Sequence, residues 1–212
     1  GLLVGQPIKG IDVQVLPDQW GNLISSASQQ AFTTKLLPPN QIGEIVVSGS
    51  HVLSGYLEES QNAQMKIAVG ETIWHRTGDA GYFDDAGRLW LVGRCAARIR
   101  NRSGSIYPLL VECAARSIPG VHQAALTTHK SRLLLLLEAD SHGTIDITKV
   151  TAELAWVGIE EFRVVKRIPV DRRHHSKIDF RALNKLVKRI SVQDLLSLRT
   201  LRRTNPFARS KG

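Results

Sequence analysis

Apolar and polar residues alternate through residues 1–16 around Ile11, Val13 and Val15, which predicts a strand that breaks at Pro17. Residues 17–40 show neither a helical nor a strand period. Their Ser-Ser-Ala-Ser-Gln-Gln stretch and Pro38-Pro39 predict an exposed excursion. Gly43-Glu-Ile-Val-Val-Ser-Gly49 predicts a half-buried strand, and Leu53-Ser-Gly-Tyr-Leu57 a turn that Gly55 permits. Between Trp74 and Arg94 the pattern predicts a hairpin: Thr77-Gly78-Asp79 as a polar turn, 80–83 as a short strand, 84–87 as a tight turn, 89–92 as an apolar strand. Residues 98–102 alternate like an exposed strand that Ser103-Gly104-Ser105 turns back, and 109–117 form a short helix stopped by Pro119-Gly120. Two strands follow at 121–127 and 133–138. Val150, Leu154 and Val157 recur at helical spacing, 162–170 have the look of a strand, and 180–190 of a basic amphipathic helix. The expected class is mixed α/β and α+β, with residues 191–212 as a basic tail that continues the helix to about residue 203 and then loses order.

At 212 residues, 42% hydrophobic and 22% charged, the chain holds one large or two small globular domains. The longest apolar run, 133–137, falls far short of the ~20 residues a membrane helix needs. Cys95 and Cys113 form no C-x-x-C pair and no disulfide framework, as in a reducing compartment, so a cytoplasmic location is expected. His174 and His175 are the only adjacent histidines and lack Cys or carboxylate at ligand spacing, so no metal site of the protein's own is expected. The net charge of +9 is uneven: residues 1–90 carry 5 Lys and Arg against 9 Asp and Glu, and residues 91–212 carry 23 against 10. A basic second half suits a nucleic-acid or anionic-membrane partner, and equally a domain that closes over a triphosphate. The chain opens on Gly1 in strand-like material without leader or cap, as a fragment would.

Chemistry concentrates around Asp79 and Arg94. Antiparallel pairing of the predicted hairpin brings one carboxylate and one guanidinium to the same end of the ribbon, where a carboxylate can accept both hydroxyls of a ribose. On spacing alone, Gly-Asp and Asp-Asp-Ala-Gly are also ordinary turn chemistry. The order of motifs adds more. Trp74-His-Arg-Thr-Gly-Asp79, a hairpin ending Gly93-Arg94, and Gly43-Glu-Ile-Val-Val-Ser-Gly49 followed by Gly55-Tyr-Leu57 together resemble the adenylate-forming superfamily of acyl-CoA synthetases, peptide-synthetase adenylation domains and luciferases.

The resemblance implies that Asp79, with Thr77, holds the ribose of ATP and acyl-AMP, and that Arg94 touches the same ribose and opens a hinge at Arg94 and Ala96. Residues 1–94 are then the end of a large AMP-binding domain, including part of a small β-barrel subdomain, and 95–190 a small α+β C-terminal lid. Lys177, in Pro169-Val-Asp-Arg-Arg-His-His-Ser-Lys177-Ile, matches the family's late lysine, which bridges the substrate carboxylate and the α-phosphate. A compact ammonium suits that place, between two anions that repel each other. The implied reaction joins a carboxylic acid and ATP, with Mg2+ on the phosphates, into acyl-AMP and pyrophosphate. Departures narrow the reading: Ala96 stands where the family has Asp or Lys, and Ser103-Gly-Ser-Ile-Tyr-Pro-Leu-Leu-Val-Glu112 lacks the expected arginine after its glycine. Tyr107-Pro108, Glu112 and the Lys177 stretch resemble the olefin-pathway β-lactone synthetases, whose β-hydroxy fatty acid displaces AMP with its own hydroxyl, where other branches use a thiol. The family's phosphate loop and its Thr-Glu segment have no counterpart in these residues, so the chain alone is not expected to be a competent enzyme.

Two rival readings come from other classes. One is a basic module that grips nucleic acid through Arg98, Arg100 and Arg102 and through Arg181, Lys185, Lys188 and Arg189. No aromatic residues interleave with these stripes for base stacking. The other is a degenerate remnant that keeps the fold for contacts with a partner protein.

Overall fold

The computed structural model describes residues 1–101, 104–141, 143–171 and 178–189. It divides into two compact units, Gly1–Cys113 and a second beginning at Ala114. In the first unit β1 (Leu2–Gly5), β2 (Ile11–Leu16), β3 (Gly43–Gly49), β4 (Lys66–Val69), β5 (Thr72–Phe83) and β6 (Leu89–Arg94) make an antiparallel sheet. Its order is β1-β6-β5-β3-β2, with β4 also paired to β5. Alternation along β3 and β5 sends Val46 and Trp74 into a core with Leu16, Ile67 and Val69.

Phe32 completes that core from α1 (Gln29–Thr33), its ring centroid 5.0 Å from that of Trp74. The expected excursion at 17–40 is thus corrected in part. Ser28 caps α1 by accepting a hydrogen bond from the Ala31 N–H at 3.2 Å, and Phe32, with Ile24, Ala27 and Leu36 packed against the same core, anchors the segment. Apolar residues at 24, 27, 32 and 36 are spaced too irregularly to set up a period. Also unforeseen are α2 (Glu59–Met65) and β4, which carry the chain from Leu57 into β5.

The turn between β5 and β6 is built by one carboxylate. Asp84 accepts from the Ala86 and Arg88 N–H groups through Oδ1 and from the Arg88 Nε and Trp90 Nε1 through Oδ2, the last two at 2.8 Å. Led by the Trp90 indole, these donors pull the Asp84 pKa down to about 2.

Beyond β6 a 3-10 turn (Cys95–Ala97) leads to the small ribbon β7 (Ile99–Asn101) and β8 (Gly104–Ile106), and then to α3 (Pro108–Arg116). In the second unit β9 (Val121–His129) and β10 (Arg132–Ala139) form a hairpin whose two loop residues, Lys130 and Ser131, both have positive φ. The chain crosses over through α4 (Ile147–Glu153) to β11 (Glu161–Val165), which lies parallel to β10. The central β10 buries all of Leu133 to Leu137, and on one face Leu134 and Leu136 pack against Leu183 and Val187 of α5 (Phe180–Arg189).

β11 stops at Val165, short of the expected residue 170. Pro169 has no N–H for a ladder, and the Ile168 N–H donates instead to the Glu138 carboxylate at 2.6 Å. Among the described residues no helix is long and apolar enough to cross a membrane. The expected basic tail, 191–212, lies outside the described residues.

Because the folded-state pKa of Asp84 is depressed, its stabilising contribution is present above the unfolded value of 3.8 and disappears as the pH falls toward about 2. The stability gap between the parent and Asp84→Asn, followed by urea unfolding, is therefore expected to be full at pH 5 and to close as the pH falls through that window. A gap independent of pH would show that the carboxylate's charge plays no part in the turn.

Candidate functional site

Thr77-Gly78-Asp79 lies inside a strand and not in a turn, which corrects the sequence expectation. Val46 of β3 pairs with Arg76, and Glu44 with Ala80, so Ile45 alone faces three residues of β5. Such a bulge re-aims a side chain without ending the strand. It needs a residue at positive φ, supplied by Gly78 at 68°, and partners for the backbone groups that leave the ladder. Thr77 meets two of those needs: its hydroxyl donates to the Ile45 carbonyl at 2.8 Å and accepts from the Asp79 N–H at 3.0 Å.

Beneath the bulge lies a buried ion pair. Glu44 is 0% exposed and Arg76 2%. The guanidinium donates through Nη2 at 2.6 Å and Nε at 3.1 Å to the carboxylate, and through Nη1 to the carbonyls of Asn22 and Gln64. The same carboxylate accepts from the Gly78 backbone. Burial pushes the Glu44 carboxyl above its ordinary value, against the hydrogen bonds and charge of Arg76 that pull it down. Trp20 covers the assembly: its ring centroid lies 5.3 Å from the Arg76 guanidinium, and a Cβ on Gly78 would fall 2.8 Å from the indole edge.

Asp79 pairs with Arg94 across β5 and β6, and Arg94 Nε donates to the Asp79 carboxylate at 2.9 Å. Arg94 Nη1 donates to the Thr77 carbonyl at 3.2 Å, so one guanidinium spans both ends of the bulge. Arg94 and Ala96 are exposed, whereas Cys95 between them is buried with Ala80, Val92 and Tyr107. Burial raises the Cys95 thiol pKa, with the nearby carboxylates of Asp18 and Glu44 adding to the effect. Thr77, Asp79, Arg94 and Ala96 thus come together, while Lys177 lies outside the described residues.

Arg98 departs from its predicted place on an exposed strand. Its side chain is 9% exposed and pairs with Asp18, also buried, at 2.6 Å. With Arg98 so paired, the first basic stripe of a nucleic-acid module loses its leading member; Arg102 lies outside the described residues. Arg181, Lys185, Lys188 and Arg189 are exposed on α5, as a solvated helix face is.

Sequence reasoning missed the supporting contacts of Asp18, Trp20, Glu44, Arg76, Arg98 and Tyr107. A signal existed for two of them. The period of 2 places Glu44 on the face of Val46 and Arg76 on the face of Trp74, and opposite charges at buried positions of neighbouring strands are matched partners.

No family model matches the chain. Among curated proteins it is 32% identical over 161 residues to an olefin β-lactone synthetase of Stenotrophomonas maltophilia, covering 68% of this chain and 29% of that protein. It is 27% identical over 197 residues to the olefin β-lactone synthetase of Xanthomonas campestris (84% and 34%), and 34% identical over 122 residues to a 2-succinylbenzoate–CoA ligase of Enterococcus faecalis (58% and 21%). The chain belongs to the adenylate-forming superfamily. It spans about a third of the length of the two synthetases.

Solved structures share the fold. Klebsiella oxytoca NpsA in complex with 3-hydroxyanthranilyl-AMSN superposes with a TM-score of 0.67 at 19% identity, covering 88% of this chain and 37% of that one. ATP-bound MatB of Rhodopseudomonas palustris gives 0.65 at 22% identity, with 89% and 36% covered. The mixed, strand-rich architecture is therefore that of the later part of these enzymes.

Removing one partner of the buried pair leaves an uncompensated charge, so Glu44→Ala is expected to cost about 3–5 kcal/mol by urea unfolding. The double replacement Glu44→Leu, Arg76→Met removes both charges and should recover most of that loss. A double variant no more stable than Glu44→Ala would mean that the pair contributes through more than charge compensation.

Proposed function

We propose that this chain forms the ribose-contacting edge and the lid of an ATP-dependent ligase that activates a carboxylic acid as its acyl-AMP. The observation that carries the reading is the partly exposed Asp79 carboxylate, released from pairing with β3 by a bulge and gripped by Arg94 at 2.9 Å. Two adjacent ribose hydroxyls are donors that a carboxylate accepts together, and the guanidinium beside it offers further N–H groups to sugar and phosphate oxygens.

In the reaction, a substrate carboxylate oxygen bonds to the α-phosphorus of ATP as the bond to pyrophosphate breaks. Asp79 and Arg94 fix the nucleotide for in-line attack, which is the larger part of catalysis in such transfers. Lys177 supplies positive charge between the carboxylate and the α-phosphate. Mg2+ would screen the charge of the ATP phosphates, held mainly through ATP and parts of the enzyme that this chain does not span.

The likeness to the two olefin β-lactone synthetases supports a long-chain, β-hydroxylated acid whose own hydroxyl then displaces AMP. With the CoA ligases, a thiol is the alternative acceptor. The proposed division is 1–94 for the end of the large domain and 95–190 for the lid, with Arg94 and Ala96 at the pivot. The absence of a disulfide framework supports a cytoplasmic location.

The test is ATP–pyrophosphate exchange dependent on a long-chain acid, in an enzyme in which this chain completes the large domain. Lys177→Ala should slow exchange about a hundredfold or more, the ~3–4 kcal/mol typical of one lost preorganised contact to a transition state. Asp79→Ala should raise the KM for ATP, and Lys185→Ala, on the exposed face of α5, should exchange at the parent rate. Parent behaviour from both Lys177→Ala and Asp79→Ala would reject the reading.

A further inference from the structure

We propose that Asp18, in the segment between β2 and α1, is the positioning residue that sets the geometry of the Asp79–Arg94 pair. The proposal rests on the preceding reading only for what the pair binds. Arg94 is 61% exposed and Asp79 30%, and ion pairs this open to water contribute about 0–1 kcal/mol. Such a pair does not hold two backbones in register by itself. Its geometry is imposed from below.

Asp18 sits where the supports of both residues converge. Its Oδ1 accepts from the Trp20 N–H at 3.0 Å, and its Oδ2 from Arg98 Nη1 at 2.6 Å and the Tyr107 hydroxyl at 2.8 Å. The backbone carbonyl of Asp18 takes a second bond from Arg98 Nη1 at 2.9 Å. Toward Asp79, the connection runs through Trp20, whose indole edge lies against Gly78 and whose ring faces Arg76. Toward Arg94, it runs through Arg98, one 3-10 turn further along, whose N–H bonds back to the Cys95 carbonyl. Tyr107 secures the same segment from the other side, buried with Val92 and Cys95.

Charge makes this hub directional. Glu44 feels the Asp18 carboxylate as a like charge, so the two acids are close, and each is matched to its own guanidinium, Arg76 or Arg98. Neutralising Asp18 leaves Arg98 nearly buried without its anion. The relief available is movement of the segment that follows Arg94.

The experiment uses the 212-residue chain without nucleotide and follows the Arg94 Nε–H by NMR, through its exchange with water and its contact with Asp79. Asp18→Asn keeps the side-chain shape and the acceptor for Trp20 but removes the charge facing Arg98. Arg94 Nε–H exchange should accelerate about fivefold, equivalent to losing an exposed pair worth ~1 kcal/mol. Tyr107→Phe should give a smaller acceleration in the same direction, and Asp12→Asn, an exposed carboxylate on β2, none. Amide protection in β3 and β10 should stay at the parent level.

Parent-rate exchange at Arg94 in both Asp18→Asn and Tyr107→Phe would overturn the proposal. So would a uniform loss of protection across β3 and β5 in both, which marks a purely structural role. If Asp18→Asn does not fold, Tyr107→Phe decides. A separate titration of the parent with AMP, followed at the Gly78 and Asp79 amides, tests the ribose reading; a flat titration sinks that reading and leaves the positioning result standing.

Discussion

The buried pair of Glu44 and Arg76 is the interaction on which the presentation of Asp79 depends. A bulge in a sheet takes backbone N–H groups out of the ladder, and the Gly78 N–H, packed beside Trp20, needs another acceptor. Glu44 receives that N–H, and Arg76 holds the carboxylate in place through Nε and Nη2. Two apolar residues of similar volume would fill the space at comparable stability, but neither would accept a hydrogen bond. The pair is therefore explained by the shape of β5 and not by the stability it adds.

A second buried pair, Asp18 with Arg98, stands beside the first, and Trp20 links them: its N–H bonds to Asp18 and its ring rests on Arg76. Two carboxylates and two guanidinium groups at close quarters carry no net charge, which is the condition for keeping four ions out of water. The exposed surface above can then remain simple. Asp79 and Arg94 meet the solvent as an ordinary ion pair above that layer.

Much of this was legible in the sequence wherever a long period was present. β3 runs over the expected Gly43–Gly49, β10 buries the run at Leu133 to Leu137, and Asp79 faces Arg94 at one end of a ribbon. What escaped has local causes. Glycine at positive φ serves a turn and a bulge equally, so Thr77-Gly78-Asp79 gave no sign that the strand continues through it. Arg98 looked exposed because alternation in so short a ribbon assigns a face and not a partner, and its partner Asp18 lies 80 residues earlier, in a segment with no period. Lys177 was singled out from a motif alone, and the described residues end before it and resume after it.

The absence of a charge at Ala96 gains meaning from Arg98. A pivot that exchanges partners needs a polar side chain that is paired on one side and can be paired on the other, and a methyl group has nothing to exchange. Two residues later, Arg98 has what Ala96 lacks, a guanidinium matched to a carboxylate across a long stretch of chain. If the backbone turns at Ala96, the first contacts to open are those of Arg98 and Tyr107 with Asp18, because both lie on the far side of the turn from it. Opening them exposes two ions together, and rehydration of both offsets much of the attraction lost, whereas removing one of them leaves the other stranded. A buried pair of this kind holds one arrangement firmly and is still released as a unit. That combination suits a segment held in one arrangement by paired ions just beyond the end of β6.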